Sequence, residues 1–337
     1  MVIEDELIIE TKNLKKYFPV IQGFIEGLFK RSKVRYVHAV DDIDLQIYKG
    51  ETFGLVGESG CGKTTTGFLL LNLVKRTSGE IYYNGIETTY LHSWQNSVKN
   101  FEIFINWLKR KENWQKTKEL LSERKKNFIA VNKEMCGRNV CKEMQIIFQN
   151  PYESLSPRFT VFDIIAEPIK LLKVYKNEEE IENRVKEELI KVDLVPVEDF
   201  IDRYPHELSG GQRQRVGIAR AFSLDPDFIV ADEPVSMLDV SVRVGILRIM
   251  KKLSAEQGTA ILFITHDLAL ARIMCDRIGV MYLGRIVEQG PTEEVIQNPI
   301  HPYTKALIAA VPKPDPDDRR TEDLPIKGEV SGGIDLP

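Results

Sequence analysis

The sequence predicts an α/β fold with a largely parallel sheet. Three observations predict it. The apolar strand pattern Thr52 to Val56 runs into Gly57-Glu58-Ser59-Gly60-Cys61-Gly62-Lys63-Thr64-Thr65, and a helical pattern follows to Leu73. Strand-length apolar runs recur at 145–148, 228–231, 259–264 and 278–282, and helical patterns separate several of them. The run Phe228 to Ala231 ends in two carboxylates, Asp232 and Glu233. Strands alternating with helices are the pattern of a parallel sheet covered on its faces.

The elements follow in order. Leu7 to Asn13 alternates weakly and reads as an edge strand, and Val37 to Tyr48 as another, with Val40, Ile43, Leu45 and Ile47 apolar. Thr52 to Val56 is the strand before the glycine loop, and Thr65 to Leu73 begins a helix. Glu80 to Tyr83 is a short strand closed by Asn84-Gly85, a strong turn signal. Val161 to Leu172 is helical, with Pro168 as a kink or boundary. Asn177 to Val192 is a charged amphipathic helix. Together these two point to a small helical unit between Asn150 and about Leu208. Arg213 to Phe222 is helical, and Met281 to Gln289, turning at Gly284, reads as a terminal hairpin. The tail from Pro312 is rich in Pro and Asp and is expected to lack a core of its own.

Composition narrows the class. The 337 residues are 43% apolar, enough for a proper core, and the net charge of −4 gives no reason to expect a nucleic-acid partner. No apolar run reaches the roughly 18 residues of a membrane span, and Met1 to Glu10 lacks the basic start of a signal peptide. A cytosolic chain is expected, with any membrane attachment made through a partner. The four cysteines, Cys61, Cys136, Cys141 and Cys275, are too few and scattered for a disulfide framework. Cys136 and Cys141 lack the nearby His or Cys that would complete a metal site and read as unpaired thiols.

Thr88 to Lys142 stands apart. It holds all three tryptophans, Trp94, Trp107 and Trp114, and from Lys99 to Lys142 carries 12 Lys/Arg against 5 Asp/Glu. Phe101, Ile105 and Leu108 sit at helical spacing. A basic helical hairpin is expected, either a docking or membrane-surface element or a solvated insert packed on its own Trp and Leu.

The chemistry starts from the glycine loop, which fits the phosphate-binding pattern G-x-x-x-x-G-K-[ST] in the required strand–loop–helix setting. Glycines let backbone N–H groups curl round a phosphate, and the helix N-terminus adds donors and a positive dipole end. Lys63 is a cation for the β- and γ-phosphates, and Thr64 a hydroxyl for Mg²⁺. Asp232, at a strand end, would hold Mg²⁺ through water, leaving Glu233 to polarise an attacking water. Leu208-Ser209-Gly210-Gly211-Gln212 precedes a helix that Ser209 can cap, a second anion-binding terminus. A nucleotide gripped by both, with the two elements on different chains, is one solution; an ordinary Ser-capped helix is the other. Cys61, near that helix start and Lys63, is expected to have a lowered thiol pKa and to react with alkylating agents unless MgATP protects it. A buried unreactive thiol is the alternative.

With these residues together, the chain resembles an ABC transporter ATPase subunit over nearly its whole length, Thr88 to Lys142 excepted. The signature Leu208-Ser209-Gly210-Gly211-Gln212 is specific to that family. The resemblance implies a P-loop NTPase (RecA-like) α/β core, an antiparallel β subdomain and a small α-helical subdomain. It implies ATP and Mg²⁺ as ligands. ATP would be held by Tyr17 stacking on adenine, by Gly57, Ser59, Gly60, Cys61, Gly62, Lys63, Thr64 and Thr65, and by Gln149 of Phe148-Gln149-Asn150. Mg²⁺ would meet Thr64, Gln149 and Asp232. Glu233, His266 and Lys63 would be catalytic, with His266 of Thr265-His266-Asp267 sensing the γ-phosphate. Ser209, Gly210, Gly211 and Gln212 would act on ATP bound to a partner. Asp239 of Ser236-Met237-Leu238-Asp239 would lie in the loop crossing the dimer interface, with Met237 where Ala is usual.

Four segments narrow the resemblance: Tyr17-Phe18-Pro19-Val20, Asn150 to Arg158, Met281 to Glu288, and His301-Pro302-Tyr303-Thr304-Lys305-Ala306-Leu307. They are similar to the ATPase subunits of oligopeptide, dipeptide and nickel importers, more to the second (F-type) than the first. This implies a paralogous ATPase partner, or a second copy, and two transmembrane permease subunits. It also implies an extracellular substrate-binding protein indirectly, and a peripheral place on the cytoplasmic membrane face. Relatives often add a cysteine-rich segment that binds an iron–sulfur cluster; no such ligands are visible before Leu336-Pro337. The expected division is 1–87 with the β subdomain and phosphate loop, 88–142 the basic insert, and 143–148 a core strand. The helical subdomain would be 149–207, the second part of the core 208–290, and the C-terminal extension 291–337. The rivals are a soluble ABC ATPase and a nucleotide-sensing regulatory subunit. A single cassette, an insert too short and without heptads for a coiled coil, and the intact Asp232-Glu233 and His266 argue against both.

Overall fold

The computed structural model describes residues 6–20, 35–88 and 140–310. The strands in chain order are β1 (Leu7–Pro19), β2 (Tyr36–Tyr48), β3 (Thr52–Val56), β4 (Ser78–Tyr83), β5 (Ile86–Glu87), β6 (Met144–Ile147), β7 (Phe228–Asp232), β8 (Ala260–Thr265), β9 (Arg277–Tyr282) and β10 (Arg285–Pro291). The helical hairpin expected of Thr88–Lys142 falls almost wholly outside the described residues, as do Cys136 and the tail from Pro312.

The larger sheet has the order β10-β9-β3-β8-β7-β6. β9, β3, β8, β7 and β6 run parallel, and β10 closes one edge as the antiparallel arm of a hairpin. Its central strands are apolar on both faces. In β8, Ala260, Leu262 and Ile264 join one core while Ile261 and Phe263 join the other. In β7, Phe228 and Val230 face the first core, and Ile229 and Ala231 the second. This two-residue alternation with both sides buried is why these stretches read as unbroken apolar runs. Burying each such Leu, Ile or Phe is worth roughly 1.5–3 kcal/mol.

The smaller sheet, β2-β1-β4-β5, is antiparallel throughout. Val40, Ile43, Leu45 and Ile47 of β2 are all buried, as their spacing predicts. β1 is a correction. It runs on to Pro19 and lies between β2 and β4, so it is not an edge strand. Register shifts at Thr11/Leu14, Leu14/Lys16 and Lys16/Tyr17, and a left-handed Asn13 (φ 49), break its alternation, which makes the strand look shorter and weaker than it is.

Between β6 and β7 the chain is helical. The Val161–Leu171 helix is capped by Thr160 with Asp163 in a reciprocal box, and the Glu178–Lys191 helix by Asn177. Pro168 lies inside the first of these and does not end it. The buried face of this layer includes Ile164, Ile165, Val185 and Leu189, packed with Val216 and Phe222 of the Gly210–Phe222 helix. Glu188 is fully buried here, held by Arg184 at 3.2 Å and Lys191 at 2.8 Å. After β10 come two short helices with no strong sequence signal, Thr292–Gln297 and Pro302–Ala310. Among the described residues no helix is long and apolar enough to cross a membrane.

Candidate active site

Parallel neighbours present their C-terminal ends on one edge, where ligands of α/β sheets bind. Here β3, β8, β7 and β6 lie side by side. Each is followed at that edge by one part of the predicted machinery: the glycine loop after β3, His266 after β8, Glu233 after β7 and Gln149 after β6. Residues more than 200 positions apart in sequence meet because the strand order makes them neighbours.

The loop leaves β3 at Gly57 and enters the Lys63–Leu70 helix at Gly62. Gly62 adopts φ +111, and a Cβ there would lie 2.0 Å from the Ala39 carbonyl oxygen, so no other residue fits. The loop is tied to two distant segments. Gly284 N–H, in the β9–β10 turn, donates to Cys61 O at 3.0 Å, and Gly284 O accepts from Asp41 N–H at 2.8 Å. Lys63 is buried, and its Nζ donates to Gly57 O and Glu58 O, both at 2.7 Å. The ammonium therefore sits inside the curl of the loop, where a phosphate would arrive. Thr64 Oγ1 donates to Asp232 Oδ1 at 3.0 Å.

Glu233 is a non-glycine residue in the left-handed region, at φ 44. That conformation costs roughly 1–3 kcal/mol and persists where surroundings enforce it. Here its N–H is fixed to Ile264 O at 2.9 Å. The turn aims the carboxylate between two partners: Oε2 accepts from Gln149 Nε2 at 3.0 Å, and Oε1 lies 3.0 Å from His266 Nδ1. His266 is more than half exposed, whereas Glu233 is largely covered. Asp232 is buried, and burial pushes its carboxyl above the ordinary range, against the hydrogen bond from Thr64. A divalent cation would relieve that desolvated carboxylate. The donor set of Thr64 hydroxyl, Asp232 carboxylate and Gln149 amide is all hard oxygen, as Mg²⁺ requires.

A cleft of about 560 Å³ joins the loop, Gln149, Glu233 and His266. Of the residues singled out in the sequence, Gly57, Ser59, Gly60, Gly62, Lys63, Thr64, Thr65, Gln149, Glu233 and His266 line it. Sequence reasoning missed Val37, His38, Ala39, Leu283, Gly284 and Leu307 on its walls. Nothing in their local pattern marks them; only the β9–β10 turn signal at Gly284 was visible.

Other predicted residues lie off the cleft. Tyr17 does not line it; its ring stacks on His38 with centroids 4.1 Å apart, and His38 is on the wall. Tyr17 Oη donates to Asp41, which Arg285 also grips. Burial and this bond to Asp41 push the Tyr17 phenol up to about 12. Asp232 faces a neighbouring cavity with Gln149. Ser209 caps the Gly210–Phe222 helix with Gln212 in a reciprocal box, and neither they, Gly210 and Gly211 nor Asp239 line the cleft of their own chain.

Cys61 corrects an expectation. Its thiol is buried, and burial pushes its pKa up, outweighing the nearby Lys63 ammonium 3.8 Å away. The side chain packs in the core beneath the loop, so the lowered pKa expected from its neighbours does not hold and the buried-thiol alternative is the one the fold supports.

Comparison with known proteins gives the family. Residues 40–236 match the family model "ABC transporter", and residues 287–335 match "Oligopeptide/dipeptide transporter, C-terminal region". The chain is 43% identical over 315 residues to the oligopeptide transport ATP-binding protein OppF of Bacillus subtilis, covering 94% of this chain and 86% of that protein. It is 40% identical over 334 residues to the dipeptide transport ATP-binding protein DppF of Haemophilus influenzae, covering 99% and 86%. Among solved structures it is similar to the ATP-binding cassette MJ0796, a dimer bound to ADP and Pi in a post-hydrolysis state. The TM-score is 0.60 at 26% identity, with 85% of this chain and 99% of that chain covered. The α/β core is thus that of ABC ATPase cassettes, and the chain belongs to the ABC transporter family as an ATP-binding subunit of the oligopeptide/dipeptide branch.

Proposed function

We propose that this chain is the ATP-hydrolysing motor subunit of a peptide importer, of the F-type within its branch. The observation that carries it is the convergence of the glycine loop, Gln149, Glu233 and His266 on one cleft. The names of the relatives support the peptide cargo.

ATP phosphates would lie in the curl of the loop. Backbone N–H groups and the start of the Lys63–Leu70 helix offer donors there, and Lys63 already sits inside that curl. Thr64, Asp232 and Gln149 are the oxygen ligands for Mg²⁺, which when bound neutralises charge developing on the β- and γ-phosphates. Glu233 accepts a hydrogen bond from the attacking water and so orients it and takes up its proton. Gln149 and His266 fix where that carboxylate points, and His266, through a ring nitrogen, meets the γ-phosphate. The base would rest on the wall formed by Val37, His38 and Ala39, with Tyr17 behind His38.

Ser209, Gly210, Gly211 and Gln212 lie away from the cleft of their own chain, which supports their use on ATP bound to a partner. The partner would be a paralogous ATPase, or a second copy. Shared nucleotides would close the pair and hydrolysis reopen it. Gln149 and the helices from 151 to 207 would carry the motion to two permease subunits at the cytoplasmic face of the membrane. An extracellular binding protein would deliver the peptide. The subdomain boundaries expected from the sequence belong to this reading.

The test is steady-state ATP hydrolysis by the isolated chain, by an equal mix with a paralogous ATPase, and by Glu233→Gln in each. Activity that requires the mix and is lost in the variant supports a shared site with Glu233 as the base. A fully active Glu233→Gln overturns the mechanism.

A further inference from the structure

The Pro302–Ala310 helix lies in the C-terminal stretch beyond the ATPase core, yet it reaches the phosphate loop. Glu58 N–H donates to Tyr303 Oη at 3.1 Å. The Tyr303 ring packs on Tyr282 of β9, centroids 4.3 Å apart, and is buried. One turn further on, Leu307 forms part of the cleft wall. The approach of this helix is fixed from the core. Glu288 of β10 accepts from Ile300 N–H at 2.8 Å and from His301 N–H at 3.0 Å, and His301 Nδ1 in turn accepts from Tyr303 N–H at 3.1 Å.

From this we infer that Tyr303 is a positioning residue for ATP: it holds the phosphate loop in its binding shape from outside the ATPase core. The backbone of loop residue Glu58 is gripped on both sides. Its N–H is held by Tyr303, and its carbonyl accepts from Lys63, the cation that meets the phosphates. A loop pinned in this way needs less ordering when ATP arrives, and ordering that is already complete appears as affinity. Burial pushes the Tyr303 phenol up to about 12, so its oxygen remains a neutral acceptor across the working pH range. Tyr303 touches neither Glu233 nor His266, so its effect falls on binding and not on the chemical step.

The inference rests on the chain binding ATP. The test is therefore direct binding of MgATP by the full chain, followed by hydrolysis in the assembled pair. Tyr303→Phe keeps the ring on Tyr282 and removes only the acceptor. The expected result is MgATP affinity about fivefold weaker, the scale of one neutral hydrogen bond. KM should rise in parallel, with kcat within about twofold and the thermal midpoint without nucleotide falling by no more than about 2–4 °C, the scale of that one bond. Tyr282→Leu, which removes the stack and keeps the acceptor, is the second variant. It should lower the midpoint without nucleotide while changing affinity less than Tyr303→Phe does. Wild-type affinity in Tyr303→Phe overturns the inference alone. Loss of affinity only in step with the midpoint reduces Tyr303 to a packing residue and overturns it too. A wild-type chain that binds no MgATP overturns this inference together with the function it rests on.

Discussion

Replacing Gly62 by Ala tests the site most sharply, because one methyl group meets two separate penalties. The backbone at Gly62 has φ +111, beyond even the left-handed well that other residues sometimes enter. Strain of that kind costs roughly 1–3 kcal/mol. The added Cβ would also lie 2.0 Å from Ala39 O and 2.6 Å from the Met281 methyl. The methionine can move, but the carbonyl belongs to β2 and is held in a sheet. Overpacking of this sort adds about 1–3 kcal/mol. The loop must therefore leave its shape to admit the methyl, at a combined cost of about 2–6 kcal/mol. Since about 1.4 kcal/mol is a factor of ten, MgATP affinity should fall at least 30-fold. Titration with MgATP measures it, with circular dichroism and the thermal midpoint reporting whether the rest of the chain stays folded. Binding within threefold of wild type would refute the argument that the contact between loop and β2 shapes the phosphate site.

Two further predictions concern a buried ion pair and the thiols. Arg184→Leu removes one of the two cations holding the fully buried Glu188 and should cost about 3 kcal/mol in urea unfolding, the scale of a broken buried ion pair. Burial already raises the Glu188 pKa despite Arg184, so its contribution to stability is present at acid pH and is lost as pH rises through the folded value. Losing Arg184 raises that value further, so the deficit should be largest near pH 8 and shrink towards pH 5; a deficit independent of pH would refute this. Among the described thiols, alkylation at pH 7.5 followed by peptide mass mapping should label exposed Cys141 well before buried Cys61 and Cys275, and unfolding in urea should equalise them.

What the sequence made legible follows from what is local. The strand runs Thr52 to Val56 and Phe228 to Ala231 are read almost to the residue, because a strand buried on both faces has no polar interruption. Ser209 is legible as a cap because capping is a contact between residues three apart. The glycine loop is legible because its spacing is its chemistry. Contacts across the fold were not. His38 and Leu307 reach the cleft only because β2 and the last described helix are folded against it. The central place of β1 was hidden by its bulges. Cys61 shows the limit most clearly: its neighbours in sequence argue for an acidic thiol, but burial outweighs them, and burial is a property of the whole fold.

The position of β3 has a consequence for how the chain comes off the ribosome. Its hydrogen-bonding flanks are taken by β8 and β9, which begin at Ala260 and Arg277. At roughly 5–20 residues per second, about 10–40 s separate synthesis of β3 from synthesis of its first partner. During that interval a strand that the finished fold buries at every residue has two unpaired edges, the condition under which strands pair with the wrong neighbour. The phosphate loop waits as well, since the turn at Gly284 that ties it down is made later still. A nascent chain halted before Ala260 should therefore bind no nucleotide and should need a chaperone to stay soluble.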